Sequence, residues 1–119
     1  MANLIVLGSG GPIPNADRFG TSHVVQSGGR NFLFDCGPAA TYKLAKHGLS
    51  SLDFDYVFIS HHHFDHVADL PAFLLTRWDH SIGDETPLKV FGPENTELMI
   101  DRLIGEEGAF AFDWKARVN

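Results

Sequence analysis

Between positions 61 and 66 the chain carries three imidazoles and a carboxylate in the spacing His61-x-His63-x-Asp65-His66. Imidazole nitrogen and carboxylate oxygen are ligands that zinc favours, and a catalytic zinc takes three ligands from protein and leaves one position to water. On an extended segment His61 and His63, two residues apart, project to the same side and can share one ion. Asp65 and His66 are offset from that pair and can serve a second ion beside the first. Two ions ~3.5–4 Å apart clamp the attacking and leaving oxygens of a displacement, and a metal lowers the pKa of its water from ~15.7 towards ~7. Hydroxide is then available at neutral pH, and Asp65 is the residue expected to accept and relay its proton. His62 is expected to point away from the ions.

The elements around this run determine whether the four side chains can be held still. Directly before it, residues 56–59 (Tyr-Val-Phe-Ile) form an unbroken apolar stretch, as in a central strand covered on both faces. A histidine run at the end of a buried strand is not the pattern of a solvated polar loop or of an appended tag. Residues 4–7 read as a strand leading into a loop rich in glycine and proline through Gly8, Gly10, Gly11, Pro12 and Pro14. Residues 22–26 and 31–35 are β-rich and flank Ser27-Gly28-Gly29-Arg30, which predicts a hairpin. Pro38 opens a helix carrying Tyr42, Leu44 and Ala45, and Gly48 closes it. After the histidine run a helix is expected from about Pro71 through Leu74, Leu75 and Trp78. A short strand at 88–91 and a helix at 94–104 closed by Gly105 follow. Residues 106–119 read as an interrupted strand or loop. The order β, β-hairpin, α, β, α, β, α predicts an α/β layered domain.

A chain of 119 residues fits one small domain with a real core. Its 44% hydrophobic and 20% charged content are ordinary for a soluble globular protein. The net charge of −6 argues against a free-standing nucleic-acid binder, whose footprint is a basic patch. It leaves room for a nucleic-acid substrate, because bound divalent metals add local positive charge. Cys36 is the single cysteine, so no internal disulfide forms and a cytoplasmic location is expected. The N-terminus has no basic region before its apolar run and reads as a strand, not a signal peptide. No segment approaches the ~18 apolar residues of a membrane span, so no membrane partner is expected.

His61-x-His63-x-Asp65-His66 after Phe58-Ile59-Ser60 resembles the signature of the metallo-beta-lactamase fold. The likeness extends to Leu7-Gly8-Ser9-Gly10-Gly11-Pro12, Arg18, Ser22, Phe34-Asp35-Cys36-Gly37, Asp69-Leu70-Pro71 and Val90-Phe91-Gly92-Pro93, which resemble the ribonuclease Z-like branch. It spans residues 3–104, nearly the whole chain. The resemblance implies an α/β fold in which residues 1–119 are a single half-domain, the N-terminal half of a four-layered αβ/βα sandwich, incomplete at the C-terminus. It implies that His61 and His63 bind a first metal and Asp65 and His66 a second, zinc being expected and manganese the other option. Asp35 is implied as the acidic residue that holds the metal loop by hydrogen bonds. Equally open is a carboxylate that only caps a loop at a strand end.

The implied reaction is hydrolysis of a phosphodiester, in a small molecule or a nucleic acid, by metal-bound hydroxide. A lactonase or thioesterase of the same fold is the enzymatic alternative. The other alternative is an inactive truncated or split subunit that acts only through a partner. In the family a second half supplies another histidine to the first metal, a bridging aspartate, and a last histidine to the second metal. No motif here matches those, so the ligand set is incomplete at two per metal. A C-terminal half, a second copy or another chain is expected to cover the sheet.

Other signals carry less. His23 in a strand, His47 at a helix C-terminus and His80 at a helix end are not expected to replace the absent ligands. Residues 4–11 imitate a dinucleotide fingerprint, but Pro12 and Pro14 forbid a helix at the glycines and Ile13 stands where a third glycine is needed. Cys36 reads as a small buried residue. Phe32, Phe34, Phe54, Phe58, Phe73, Phe110 and Phe112 read as core or interface, and Trp78 and Trp114 as candidates to face a partner.

Overall fold

The structure, a computed structural model, describes residues 1–118. Among these residues five strands form one sheet in the order of the sequence. They are β1 (Asn3–Gly8), β2 (Ser22–Ser27), β3 (Arg30–Phe34), β4 (Phe54–Phe58) and β5 (Lys89–Phe91). β1, β2 and β3 pair antiparallel, whereas β3–β4 and β4–β5 are parallel. The hairpin between β2 and β3 turns on Gly28 and Gly29, whose φ values of 59° and 75° lie where a side chain is strained.

Helices supply the crossovers. α1 (Ala40–Lys46) and a single 3-10 turn (Ser51–Asp53) connect β3 to β4, and α2 (Phe64–Val67) with α3 (Leu70–His80) connect β4 to β5. α4 (Thr96–Ile104) and α5 (Ala111–Val118) follow. Alternate strand residues Leu7, Val24, Leu33 and Val57 point to one face, where Leu44 of α1 and Leu70 and Phe73 of α3 bury them. Met99 and Ile100 of α4 pack against the edge of this core.

The opposite face is open. Phe32, Phe34, Tyr56, Phe58 and Phe91 form a continuous row, with centroids 5.5 Å apart for Phe32–Tyr56, 5.0 Å for Phe34–Phe58 and 5.3 Å for Phe58–Phe91. Phe34 and Phe91 remain 40% and 49% exposed. The expectation that β4 is covered on both faces is therefore corrected. The strand's period of two sends Val57 to the helices and sends Tyr56 and Phe58 to this aromatic surface.

Two helix starts also shift. Ala39 and Asn95 occupy left-handed conformations, φ 69° and 73°, which delay α1 to Ala40 and α4 to Thr96. The stretch expected as strand or loop after residue 105 instead turns and forms α5. Asp113 in its first turn and Lys115 and Arg117 in its last suit the helix dipole, and the Trp114 indole donates to the Ile104 carbonyl at 2.8 Å. Phe112 on that helix is 87% exposed and is no part of the core. Among the described residues no helix is long and apolar enough to cross a membrane.

Candidate metal centre

Because β3 and β4 are parallel neighbours, their C-terminal ends lie side by side, the usual place for a site in such a sheet. Asp35 leaves β3 and Ser60 to His63 leave β4. The Asp35 N–H donates to the Phe58 carbonyl at 2.8 Å, and the buried Ser22 hydroxyl donates to the Asp35 carbonyl at 2.8 Å. Asp35 takes a left-handed φ of 61°, a region that aspartate enters more readily than most residues. That turn carries the chain under α2. The Cys36 N–H donates to the His66 carbonyl at 2.7 Å, and the Asp69 N–H to the Cys36 carbonyl at 3.0 Å. Gly37 has backbone on both sides: a Cβ there would collide with the Asp65 carbonyl oxygen and lie 2.7 Å from the Thr21 carbonyl oxygen. The Asp69 carboxylate takes the Thr41 N–H and hydroxyl at 2.7 Å each, which fixes the start of α1 against the same segment.

Asp65 and His66 lie on α2, not in an extended loop. The helical turn makes them project together while His61 and His63 come off the strand end. His61 Nε2 and His63 Nδ1 are 3.1 Å apart, and His66 Nε2 and Asp65 Oδ2 are 3.6 Å apart. The His61 and His66 rings lie 4.0 Å apart between centroids, so the two pairs are adjacent. Asp35 Oδ2 accepts from His66 Nδ1 at 2.7 Å. Its Oδ1 accepts the Ser60 N–H at 2.8 Å. A carboxylate can only accept, so His66 carries its hydrogen on Nδ1 and keeps the Nε2 lone pair for the side facing Asp65.

His62 turns away to Thr96 of α4, at 2.8 Å. The Thr96 hydroxyl already donates to the Pro93 carbonyl at 2.7 Å, so His62 Nε2 is the donor. His23 lies in β2 opposite Phe34, and His47 caps α1. His80 sets Nδ1 3.0 Å from the Thr76 carbonyl. Cys36 is buried, and its thiol pKa is raised well above the usual range by desolvation first and then by the charges of Asp69 and Asp35. It remains a thiol at neutral pH. Sequence reasoning included Ser60, Gly37 and Asp69 only in the family likeness and gave none of them a role. A hydroxyl beside a histidine and a glycine between loops have no distinctive spacing.

The donor atoms suit metal ions. With metal–nitrogen distances of ~2.0–2.1 Å, two ligands on a tetrahedral zinc stand ~3.3 Å apart, close to both observed separations. Among the described residues no three His, Cys, Asp or Glu side chains form one metal-holding group, so each pair offers two donors. Beside the histidine run a cleft of about 230 Å³ is lined by Pro12, Arg18, Phe19 and Phe64 among others.

The family model for the metallo-beta-lactamase superfamily matches residues 15–111. A ribonuclease Z from Mycobacterium sp. (strain KMS) is 35% identical over 108 residues, which are 91% of this chain and 38% of the relative. Among solved structures, human tRNase Z, short form, superposes with a TM-score of 0.76 at 31% identity, over 86% of this chain and 38% of that one. The metallo-beta-lactamase fold protein YhfI from Bacillus subtilis gives 0.72 at 27% identity, over 86% and 41%. The chain thus spans about 38% of the length of the curated relative it matches.

Proposed function

The chain belongs to the metallo-beta-lactamase superfamily, and on that premise we propose that it supplies two adjacent donor pairs of a dinuclear hydrolase acting on RNA phosphodiester bonds. The observation that carries the reading is the geometry of those pairs, His61–His63 at 3.1 Å and Asp65–His66 at 3.6 Å, with Asp35 bonded behind the second. The similarity to a ribonuclease Z supports RNA as the substrate class. Divalent ions, zinc first, would supply an activated water and charge stabilisation for the departing oxygen.

The chain's own residues bind and orient. His61 and His63 would hold one ion, and Asp65 and His66 would hold the other. Asp35 fixes the His66 tautomer, and Asp65 would take a proton from the attacking water. A catalytic ion needs three protein ligands, so the remaining donors come from polypeptide outside these residues, either further along a longer chain or from another chain. That same polypeptide covers the aromatic sheet face.

The test pairs zinc binding by equilibrium dialysis with hydrolysis of an RNA substrate, an activated phosphodiester and a lactone by the full-length protein. Phosphodiester cleavage that depends on zinc and is lost in His63→Ala and Asp65→Ala supports the reading. Zinc-dependent lactone cleavage without phosphodiester cleavage refutes the substrate class, and unchanged zinc binding in both variants refutes the site.

A further inference from the structure

We propose that Ser60 is a positioning residue that sets the tautomer of His61 and thereby ties both metal pairs to one carboxylate. A hydroxyl has one hydrogen to give, and Ser60 Oγ lies 2.7 Å from Asp35 Oδ2. Asp35 collects the Ser60 N–H and the His66 Nδ1–H, and its carboxylate accepts the hydroxyl hydrogen as well. With that hydrogen committed, Ser60 Oγ can only accept from its other neighbour, His61 Nδ1 at 3.0 Å. His61 therefore carries its hydrogen on Nδ1, and its Nε2 lone pair is directed towards His63. His66 Nδ1, 3.3 Å from the same hydroxyl, has a nearer acceptor in Asp35 at 2.7 Å and keeps its tautomer without Ser60.

The two pairs are thus oriented by the same group through unequal routes. Asp35 acts on His66 directly and on His61 through a hydroxyl relay. Removing the relay disturbs the His61–His63 pair alone, whereas removing the carboxylate disturbs both. Partners behind a metal-binding histidine change metal affinity by ~10–100-fold. The Ser60 side chain is exposed and outside the core, so Ser60→Ala removes no core contact.

The inference rests on the metal reading for its consequence but not for its first test. In metal-free, full-length protein at pH 8, long-range proton–nitrogen correlation spectra report which ring nitrogen is protonated. His61 should be the Nδ1–H tautomer in wild type and Ser60→Thr, and a mixture in Ser60→Ala, with His66 unchanged throughout. An unchanged His61 in Ser60→Ala, or a His66 that changes with it, overturns the proposal. Zinc titration then tests the consequence. Ser60→Ala should weaken one of two sites at least ~10-fold, and Ser60→Thr should restore it. Equal weakening of both sites overturns the selective relay. Absence of zinc binding in wild type removes the metal reading while the tautomer result stands.

Discussion

Replacing Gly37 with alanine tests how rigidly α2 is fastened to the strand ends. Gly37 has no left-handed φ, so alanine's own torsions are permitted and the effect is steric. The new methyl meets three backbone atoms: the Asp65 carbonyl oxygen in hard overlap, the Thr21 oxygen at 2.7 Å and the Thr21 nitrogen at 2.9 Å. None can rotate aside as a side-chain tip can. Relief requires the Asp35–Gly37 segment and α2 to part, which breaks Cys36 N–H to His66 O (2.7 Å) and Gly37 N–H to Thr21 O (3.0 Å). Overpacking of a tight site costs about 1–3 kcal/mol, and two hydrogen bonds add about 1 kcal/mol each. The sum of about 3–5 kcal/mol is a large part of a typical stability of about 5–15 kcal/mol. Urea unfolding of Gly37→Ala should show this loss, and zinc titration should show the Asp65–His66 pair weakened more than His61–His63. A variant within about 0.5 kcal/mol of wild type, with unaltered zinc affinities, would refute the argument.

Arg77 is 8% exposed and donates to the Ser51, Phe54 and Thr86 carbonyls at 2.9, 2.6 and 2.6 Å. Arg77→Met should cost at least about 3 kcal/mol in urea unfolding, about 1 kcal/mol or more for each carbonyl left without its donor, and Arg77→Lys should recover only part, because an ammonium lacks the planar fork. Asp35→Asn, whose amide tolerates the same left-handed backbone, should lower zinc affinity ~10–100-fold at both pairs; an effect confined to one pair counts against a shared carboxylate. The raised thiol pKa of Cys36 means that the folded state favours the protonated form. Its contribution is complete below the unfolded thiol's pKa of ~8.5 and declines as pH rises from there towards the raised folded value. Stability measured from pH 8 to 10 should fall more steeply in wild type than in Cys36→Ala, and equal slopes would contradict the burial argument.

The strands, the Gly28-Gly29 hairpin and the spacing of the candidate ligands were legible because each depends on near neighbours in sequence. The His61–His66 run declares its residue types, and the glycine pair declares its backbone. What stayed hidden depends on distant pairing. Ser60 becomes a relay only because the parallel β3–β4 register places Asp35 beside it, 25 residues away in sequence. The open face that carries Tyr56 and Phe58 was misjudged for a related reason: an apolar run states that both faces are hydrophobic, not that both have cover within these residues. α5 was missed because its length and charge order are modest, while its anchor, Trp114 on the Ile104 carbonyl, is a tertiary contact.

All four candidate ligands come from one run of six residues, which bears on how their affinity should be measured. An unfolded chain still contains that run and can bind metal weakly, so added zinc stabilises the fold only by the difference between folded and unfolded binding. Asp35 directly follows another strand, β3, and joins the histidines only after β3 and β4 have paired. A zinc-induced rise in melting temperature would therefore report what the fold adds to the ligands, chiefly through that carboxylate, and would understate the affinity of the site itself.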